Sequence, residues 1–494
     1  MLRKTLYLTA LAAMTCPFVL FAQKAEIDQS IQKEEATSHF RFLASDELMG
    51  RDAARSEIDI AARYIAEQFR QYGAQTVSGA DEYYQHVPLR LSAPPKSGSM
   101  VIGDTEPLTH GQDMLVLDGA SLQGEFELVV AGYGTEEDFD QVDVKGKIVV
   151  VRVGGAEKMN PSALFAAGRD KLALAAEHGA LGLVEMYNLP NPPWPLLIGY
   201  LNKTQMTLGQ NEETSPGLPY IWVKDLNNEL IKTADQAGTK VQIEVLGKVN
   251  KQIDGKNVIA LIEGTDPELK DEYLMLSAHY DHIGVGKPNA EGDSIYNGAR
   301  DNAVGTVALI NAAKYFAENP PKRSILLCAW TAEEKGLLGS AYYSENPLIP
   351  LNKVIYNLNI DNGGYNDISR ITVIGLGRTS ADHLIEEAVT AYGLETHGDP
   401  SPEQGLYDRS DNVNFAKKGI PAPTFSLGFT GFDEELMKYY HQVPDQVDNF
   451  DLDYAMKYWK AYLLTAENIA NDPSKPKWTP GDKYEEVGNE LYGN

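Results

Sequence analysis

Three residues able to bind a metal or move a proton, His279, Asp281 and His282, fall within four positions of the stretch "LMLSAHYDHIG", directly behind an apolar run. Two imidazoles around a carboxylate allow three readings: a metal ligand set, part of a nucleophilic triad, or a polar turn with no chemistry. Further acids narrow the choice. Asp301 follows "GAR" at the head of a helical pattern, Glu333 and Glu334 follow "LLCAWTA", and Asp361 follows "VIYNLNI". Imidazole with several carboxylates is a hard-to-borderline donor set suited to Zn2+ or a similar divalent ion. The sequence has no Gly-x-Ser-x-Gly elbow, no Walker-type phosphate loop and no Rossmann glycine fingerprint after a strand. Cys328, inside "SILLCAW", reads as a small core residue rather than a nucleophile.

The segments before these acids must bring them together. "YLMLSAHYD", "SILLCAWTAEE" and "VIYNLNIDN" read as strands, and "AVGTVALINAAKYFAE", "SADHLIEEAVTAYG" and "YAMKYWKAYLLTAENIAND" as helices. Strands alternating with helices imply an α/β fold, a mixed, mostly parallel sheet with helices on both faces. Such sheets gather functional groups at the carboxyl ends of their strands. Upstream, "EIDIAARYIAEQFRQYG" predicts a helix with Ile58, Ile60, Ala61, Tyr64, Ile65 and Phe69 near helical spacing and Gly73 as its stop.

At 494 residues the chain exceeds what one core usually serves. Between about Gly124 and Gly247 the pattern changes to short β runs ended by glycine, "FELVVAGYG", "GKIVVVRVG" and "LGLVEM", with one helical stretch and the Pro-rich "NLPNPPWP". This predicts an inserted small β-rich α/β module over 116–247 within a discontinuous domain of 23–115 and 248–475, followed by a C-terminal tail of 476–494. Residues 1–22 have a basic start (Arg3, Lys4), an apolar run and the small Ala22, as a secretory signal peptide does. Export to the periplasm or the extracellular space is the expectation, with no membrane span after cleavage. The formal charge of −27 argues against nucleic acid or anionic membranes as partners.

The blocks "SAHYDHIG", "ARDNAVG", "WTAEEKGLLGS", "NLNIDNGG", "RSDNVNFAKKGIPA" and "YHQVPDQVD" together resemble the co-catalytic di-zinc exopeptidases typified by bacterial leucyl aminopeptidase. "FLASDELMGR" extends the likeness toward the N-terminus, and "GYG", "VDVKGKIVVV" and "AAEHGALGLV" resemble a protease-associated domain. The resemblance implies the zinc exopeptidase fold and two Zn2+ per chain. One zinc would be held by His279 and Glu334, the other by Asp361 and His441, with Asp301 bridging them. Asp281 would orient His279 through its far nitrogen, and Glu333 would be the general base. The implied activity is a metallo-aminopeptidase acting on peptides with a free N-terminus. A carboxypeptidase or dipeptidase, a single-zinc cyclase and an inactive binding protein on the same fold are the rivals.

Three side readings accompany this one. His282 is expected to be a solvated or hydrogen-bonded loop imidazole. Arg300 stands where relatives often carry a second acid, which leaves the local charge balance open. Arg409, Ser410 and Asp411 are expected to shape the pocket wall, brace the rim or form a structural ion pair.

Overall fold

A computed structural model describes residues 20–493 except 158 and 210–216. The expected signal peptide and Cys16 therefore lie almost wholly outside the described residues. Among the described residues no helix is long and apolar enough to cross a membrane.

The chain divides into two compact units, one of Met1–Pro88 with Asp254–Asn494 and one of Leu89–Ile253. Eight strands of the main sheet are numbered here in chain order: β1 (Tyr84–Ala93), β2 (Val249–Ile262), β3 (Tyr273–His279), β4 (Ser324–Trp330), β5 (Val354–Ile360), β6 (Arg370–Ile374), β7 (Glu395–His397) and β8 (Thr424–Leu427). Their order across the sheet is β7-β6-β8-β5-β3-β4-β2-β1. β3 pairs in parallel with both β4 and β5, β5 with β8 and β6 with β7, while β2/β4 and β6/β8 are antiparallel. The sheet is thus mixed around a parallel centre.

Apart from Tyr273 at the start of β3, the central strands are buried throughout because both faces are covered. Leu274, Leu276, Ala278, Ile325, Leu327 and Ala329 pack with the helices Val304–Glu318 and Leu452–Asn471. The alternate residues Met275, Leu326, Cys328 and Trp330 pack on the other side with Phe415, Ile420 and Trp478. Cys328 is fully buried, which pushes its thiol pKa up and suits a core role.

Several expectations change. The helix Glu57–Gln71 forms and Gly73 follows it with φ +87, but Ile60 is 51% exposed and lies off the buried face. The second unit begins at Leu89 and ends at Ile253 rather than spanning 116–247. Gly98–Ile102 pairs with Lys240–Val245, and Met114–Asp118 with Tyr220–Lys224, so strands on both sides of the expected boundary complete one sheet. Of the expected C-terminal tail, residues 476–493 pack onto the first unit. Trp478 is buried and donates to Gly419 O at 2.9 Å, and the hydroxyl of Tyr492, at the end of the helix Glu485–Tyr492, donates to Val354 O at 2.6 Å.

The segment "FLASDELMGR" has a defined task in the first unit. Arg51 is fully buried and donates from Nε to Tyr280 O (2.8 Å), from Nη1 to Asn297 O (2.6 Å) and from Nη2 to Gly298 O (2.9 Å). Gly50 beside it, at φ +67, has no room for a side chain: an added Cβ would lie 2.5 Å from the carbonyl oxygens of Gly284 and Tyr296.

Candidate metal centre

The carboxyl ends of β3, β4 and β5 are adjacent in the sheet and converge on one rim. His279 is the last residue of β3 and is 1% exposed. Its Nε2 lies 3.2 Å from both Asp301 Oδ1 and Asp361 Oδ1. Asp361 follows β5 directly, and Ser426 donates to its carbonyl. Asp301 sits in the irregular turn Ala299–Ala303 ahead of the helix Val304–Glu318. Its Oδ2 faces the other way, 3.0 Å from His441 Nε2. One carboxylate therefore offers an oxygen to each of two donor groups.

The second group is His282, Asp301, Glu334 and His441. Glu334 Oε1 lies 2.7 Å from His282 Nδ1 and 3.4 Å from His441 Nε2. The structure brings all five expected ligands onto one rim but pairs them differently. His279 faces Asp361, and Glu334 faces His441. The turn after β4 accounts for this: Ala332 takes a left-handed conformation (φ 55), and Glu333 O accepts from Gly336 and Leu337 N–H at 2.8 Å. This reverses the chain at the strand end and carries Glu334 to the side where His441 stands.

Asp281 also has a different task from the expected one. Its carboxylate is 3.8 Å from His279 Nδ1, which instead lies 3.1 Å from the Asp281 carbonyl oxygen. The carboxylate accepts from the backbone N–H groups of Glu333 (3.0 Å) and Glu334 (3.3 Å). It braces the turn that presents both glutamates.

Arg300 turns away from the rim. Its guanidinium pairs with Asp445 at 3.0 Å and stacks 3.7 Å from the Tyr439 ring centroid. Asp445 also accepts from the backbone N–H of Arg300 (3.0 Å) and Asp301 (3.3 Å), tying the Asp301 turn to the loop that carries His441. Arg409 forms no ion pair among the described residues and donates to the Tyr440 hydroxyl at 3.4 Å. Ser410 accepts from Asn359, and buried Asp411 accepts from Ser340, so both brace the wall by hydrogen bonds rather than by an ion pair.

The electrostatics suit a bound cation. Burial pushes the Asp281 carboxyl up to about 6 and Asp411 up to about 7, with charged His279 opposing both. Burial likewise raises Glu333 well above the ordinary carboxylate range, helped by Asp361, Asp411 and Glu334. His441 moves the other way. Burial lowers its proton affinity, but the hydrogen bond to Asp301 and the nearby carboxylate of Glu334 carry its pKa up to about 10. Carboxylates thus outnumber the positive groups that face them. Glu334 Oε1 and both ring nitrogens of His282 are buried without any hydrogen-bond partner. Buried lone pairs left over in an acid-rich pocket fit divalent ions bound by nitrogen and oxygen donors.

The rim opens on a cavity of about 390 Å³. Glu333, Asp361 and His441 line one part; Ile374, Leu406, Phe429, Phe432, Leu436 and Tyr440 form an apolar part, with Arg409 on the lining. Sequence reasoning missed His282. Its position three residues after His279 was the available signal, and nothing in the sequence showed which way its ring points.

Residues 257–465, which include every residue of both donor groups, match the model of Peptidase family M28. That segment is similar to peptidase family M28. Leucine aminopeptidase 2 of Trichophyton rubrum is 27% identical over 361 residues, covering 70% of this chain and 62% of its own length. Aminopeptidase YwaD of Bacillus subtilis (strain 168) is 25% identical over 353 residues, 70% of this chain and 67% of its own. The match thus spans less than two thirds of the first of these relatives. Among solved structures, the aminopeptidase from Aneurinibacillus sp. strain AM-1 superposes with a TM-score of 0.52 at 20% identity, covering 93% of this chain and 98% of that one, a likeness of fold. The M28 segment starts within β2, so Arg51 comes from chain outside the matched residues, while Tyr280, Asn297 and Gly298, whose carbonyls it holds, lie inside them.

Proposed function

We propose that the protein is an exported two-zinc metallo-aminopeptidase that hydrolyses the N-terminal bond of peptides. The observation that carries this reading is Asp301, whose two carboxylate oxygens face two separate donor groups. His279, Asp301 and Asp361 would hold one zinc, and Asp301, Glu334 and His441 the other. Bound there, zinc would supply Lewis acidity to the scissile carbonyl and lower the pKa of a bound water.

The side chains account for the remaining steps. Glu333 lines the cavity beside both donor groups, and its raised proton affinity suits a base that takes the proton of the attacking water. It then returns that proton to the leaving nitrogen. Asp281 holds Glu333 in place through the backbone. The apolar wall takes the substrate's N-terminal side chain, and the acid-rich rim favours a cationic α-amine over a carboxylate. The second unit, Leu89–Ile253, would be the inserted protease-associated domain.

Arg409 favours a second reading. An exposed guanidinium with no acid partner on the cavity lining could hold a substrate carboxylate, as a carboxypeptidase or dipeptidase requires. A panel of aminoacyl and N-blocked chromogenic peptides, with and without chelator, separates the two. Chelator-sensitive cleavage of free-amine substrates alone is the expected result. Cleavage of N-blocked peptides would overturn the aminopeptidase assignment.

A further inference from the structure

We propose that His282 is a fourth protein ligand of the ion held by Asp301, Glu334 and His441, which makes the two metal positions unequal. This rests on the metallopeptidase reading. His282 is 0% exposed, and neither ring nitrogen has a hydrogen-bond partner. Glu334 Oε1 stands 2.7 Å from its Nδ1, yet the two form no hydrogen bond, and that oxygen is itself buried without a partner. A buried imidazole and carboxylate in close contact without hydrogen-bond geometry are costly to fold. A cation shared by both removes the cost.

The distances fit one ion. In a tetrahedral zinc site with bonds of about 2.0–2.1 Å, donor atoms stand roughly 3.3 Å apart. Here the edges are 2.7 Å (His282 Nδ1 to Glu334), 3.0 Å (His441 to Asp301), 3.4 Å (His441 to Glu334) and 3.9 Å (His282 Nδ1 to Asp301). The two rings meet edge-on, with centroids 5.5 Å apart at 71°, so both nitrogens can aim at one point without the rings stacking.

The surrounding chain is shaped to hold this ring. Gly298, at φ +59, lies against it, and an added Cβ there would come 2.6 Å from ring atoms of His282. The backbone N–H of His282 donates to Arg51 O at 3.2 Å, and Arg51 in turn holds Gly298 O. Arg51 therefore holds the His282 backbone through its own carbonyl and, through its guanidinium, the glycine that makes room for the ring.

The donor counts then differ. His282, Asp301, Glu334 and His441 give two nitrogens and two oxygens, which complete a tetrahedral shell. His279, Asp301 and Asp361 give three donors and leave a position open for water or substrate. The four-donor ion should be retained more strongly.

The test loads wild type and His282→Gln with Zn2+, dialyses both against graded chelator and counts zinc by elemental analysis. Wild type should release one zinc early and the second only at much higher chelator. In His282→Gln the late step should move about 10–100-fold toward the early one. A crystal structure of zinc-loaded wild type is the second measurement, independent of how the variant folds, with Nδ1 expected about 2.0–2.1 Å from the metal. Two zincs bound in wild type with Nδ1 turned to hydrogen-bond Glu334 would overturn the ligand role and leave the peptidase reading standing. So would a variant that keeps wild-type retention. Wild type that binds no zinc would overturn both.

Discussion

The carboxylate of Asp281 reaches the backbone N–H of Glu333 at 3.0 Å, fixing the end of β3 to the turn after β4. A short buried carboxylate that accepts from two successive N–H groups sets where Glu333 and Glu334 point. Asp281→Asn, with only one acceptor oxygen, should lower kcat/KM by about 10–100-fold while thermal unfolding changes little. An effect on KM alone would contradict a positioning role.

Glu333 is next to a proposed ligand but belongs to neither donor group. Glu333→Gln keeps the shape and removes the base. Turnover should fall by roughly 10²–10⁴ with zinc content unchanged. A variant with substantial activity would show that another group takes the proton.

Asp445 and Arg300 are both nearly fully buried, so removing one leaves the other charge stranded. Asp445→Ala should destabilise the protein by about 3–5 kcal/mol. The double variant Asp445→Ala with Arg300→Met should recover much of that loss, because the unpaired cation goes with the acid. Denaturant midpoints of the two single variants and the double variant decide the point. Recovery of stability need not restore zinc affinity, since the Asp301 N–H would still lack its acceptor.

Glu272 gives a pH-dependent case away from the site. Burial raises its pKa, but hydrogen bonds from Lys475 and fully buried Arg323 outweigh this and hold it below the ordinary 4.5. A folded-state pKa below the unfolded one means the carboxylate stabilises the fold above about pH 4.5, and the benefit is lost as pH falls through the lower folded value. Glu272→Gln should cost about 2 kcal/mol at pH 7, discounted for the partly exposed carboxylate. The gap from wild type should narrow in acid. Urea midpoints across pH 3 to 7 test this, and a gap that widens in acid would refute it.

Chemistry was more legible in the sequence than pairing. His279, Glu334 and Asp361 could be picked out because strand ends gather at one edge of a parallel sheet, Asp301 because it heads a helical pattern, and His441 only through the block that resembles the zinc exopeptidases. Which of them face each other depends on the left-handed Ala332, a backbone choice that composition does not mark. His282 was read as a bystander because a ring's direction after a strand is set by tertiary packing, here by Gly298 and Arg51. Arg300 looked like a disturbance of the rim's charge. Its partner, Asp445, lies far along the chain and could be found only in three dimensions.

Arg51 carries a consequence for how the molecule is made. Its bonds to Tyr280, Asn297 and Gly298 close loops of 229, 246 and 247 residues, with the whole second unit threaded between the ends. Contacts of such sequence separation form late, because the chain entropy of closure is lost before they return any stability. A ribosome would release the entire Leu89–Ile253 unit before the turn that Arg51 anchors exists. The site would then be among the last parts to take shape, and a nascent chain stalled before Gly298 should have no zinc-retaining pocket, however well its other unit had folded.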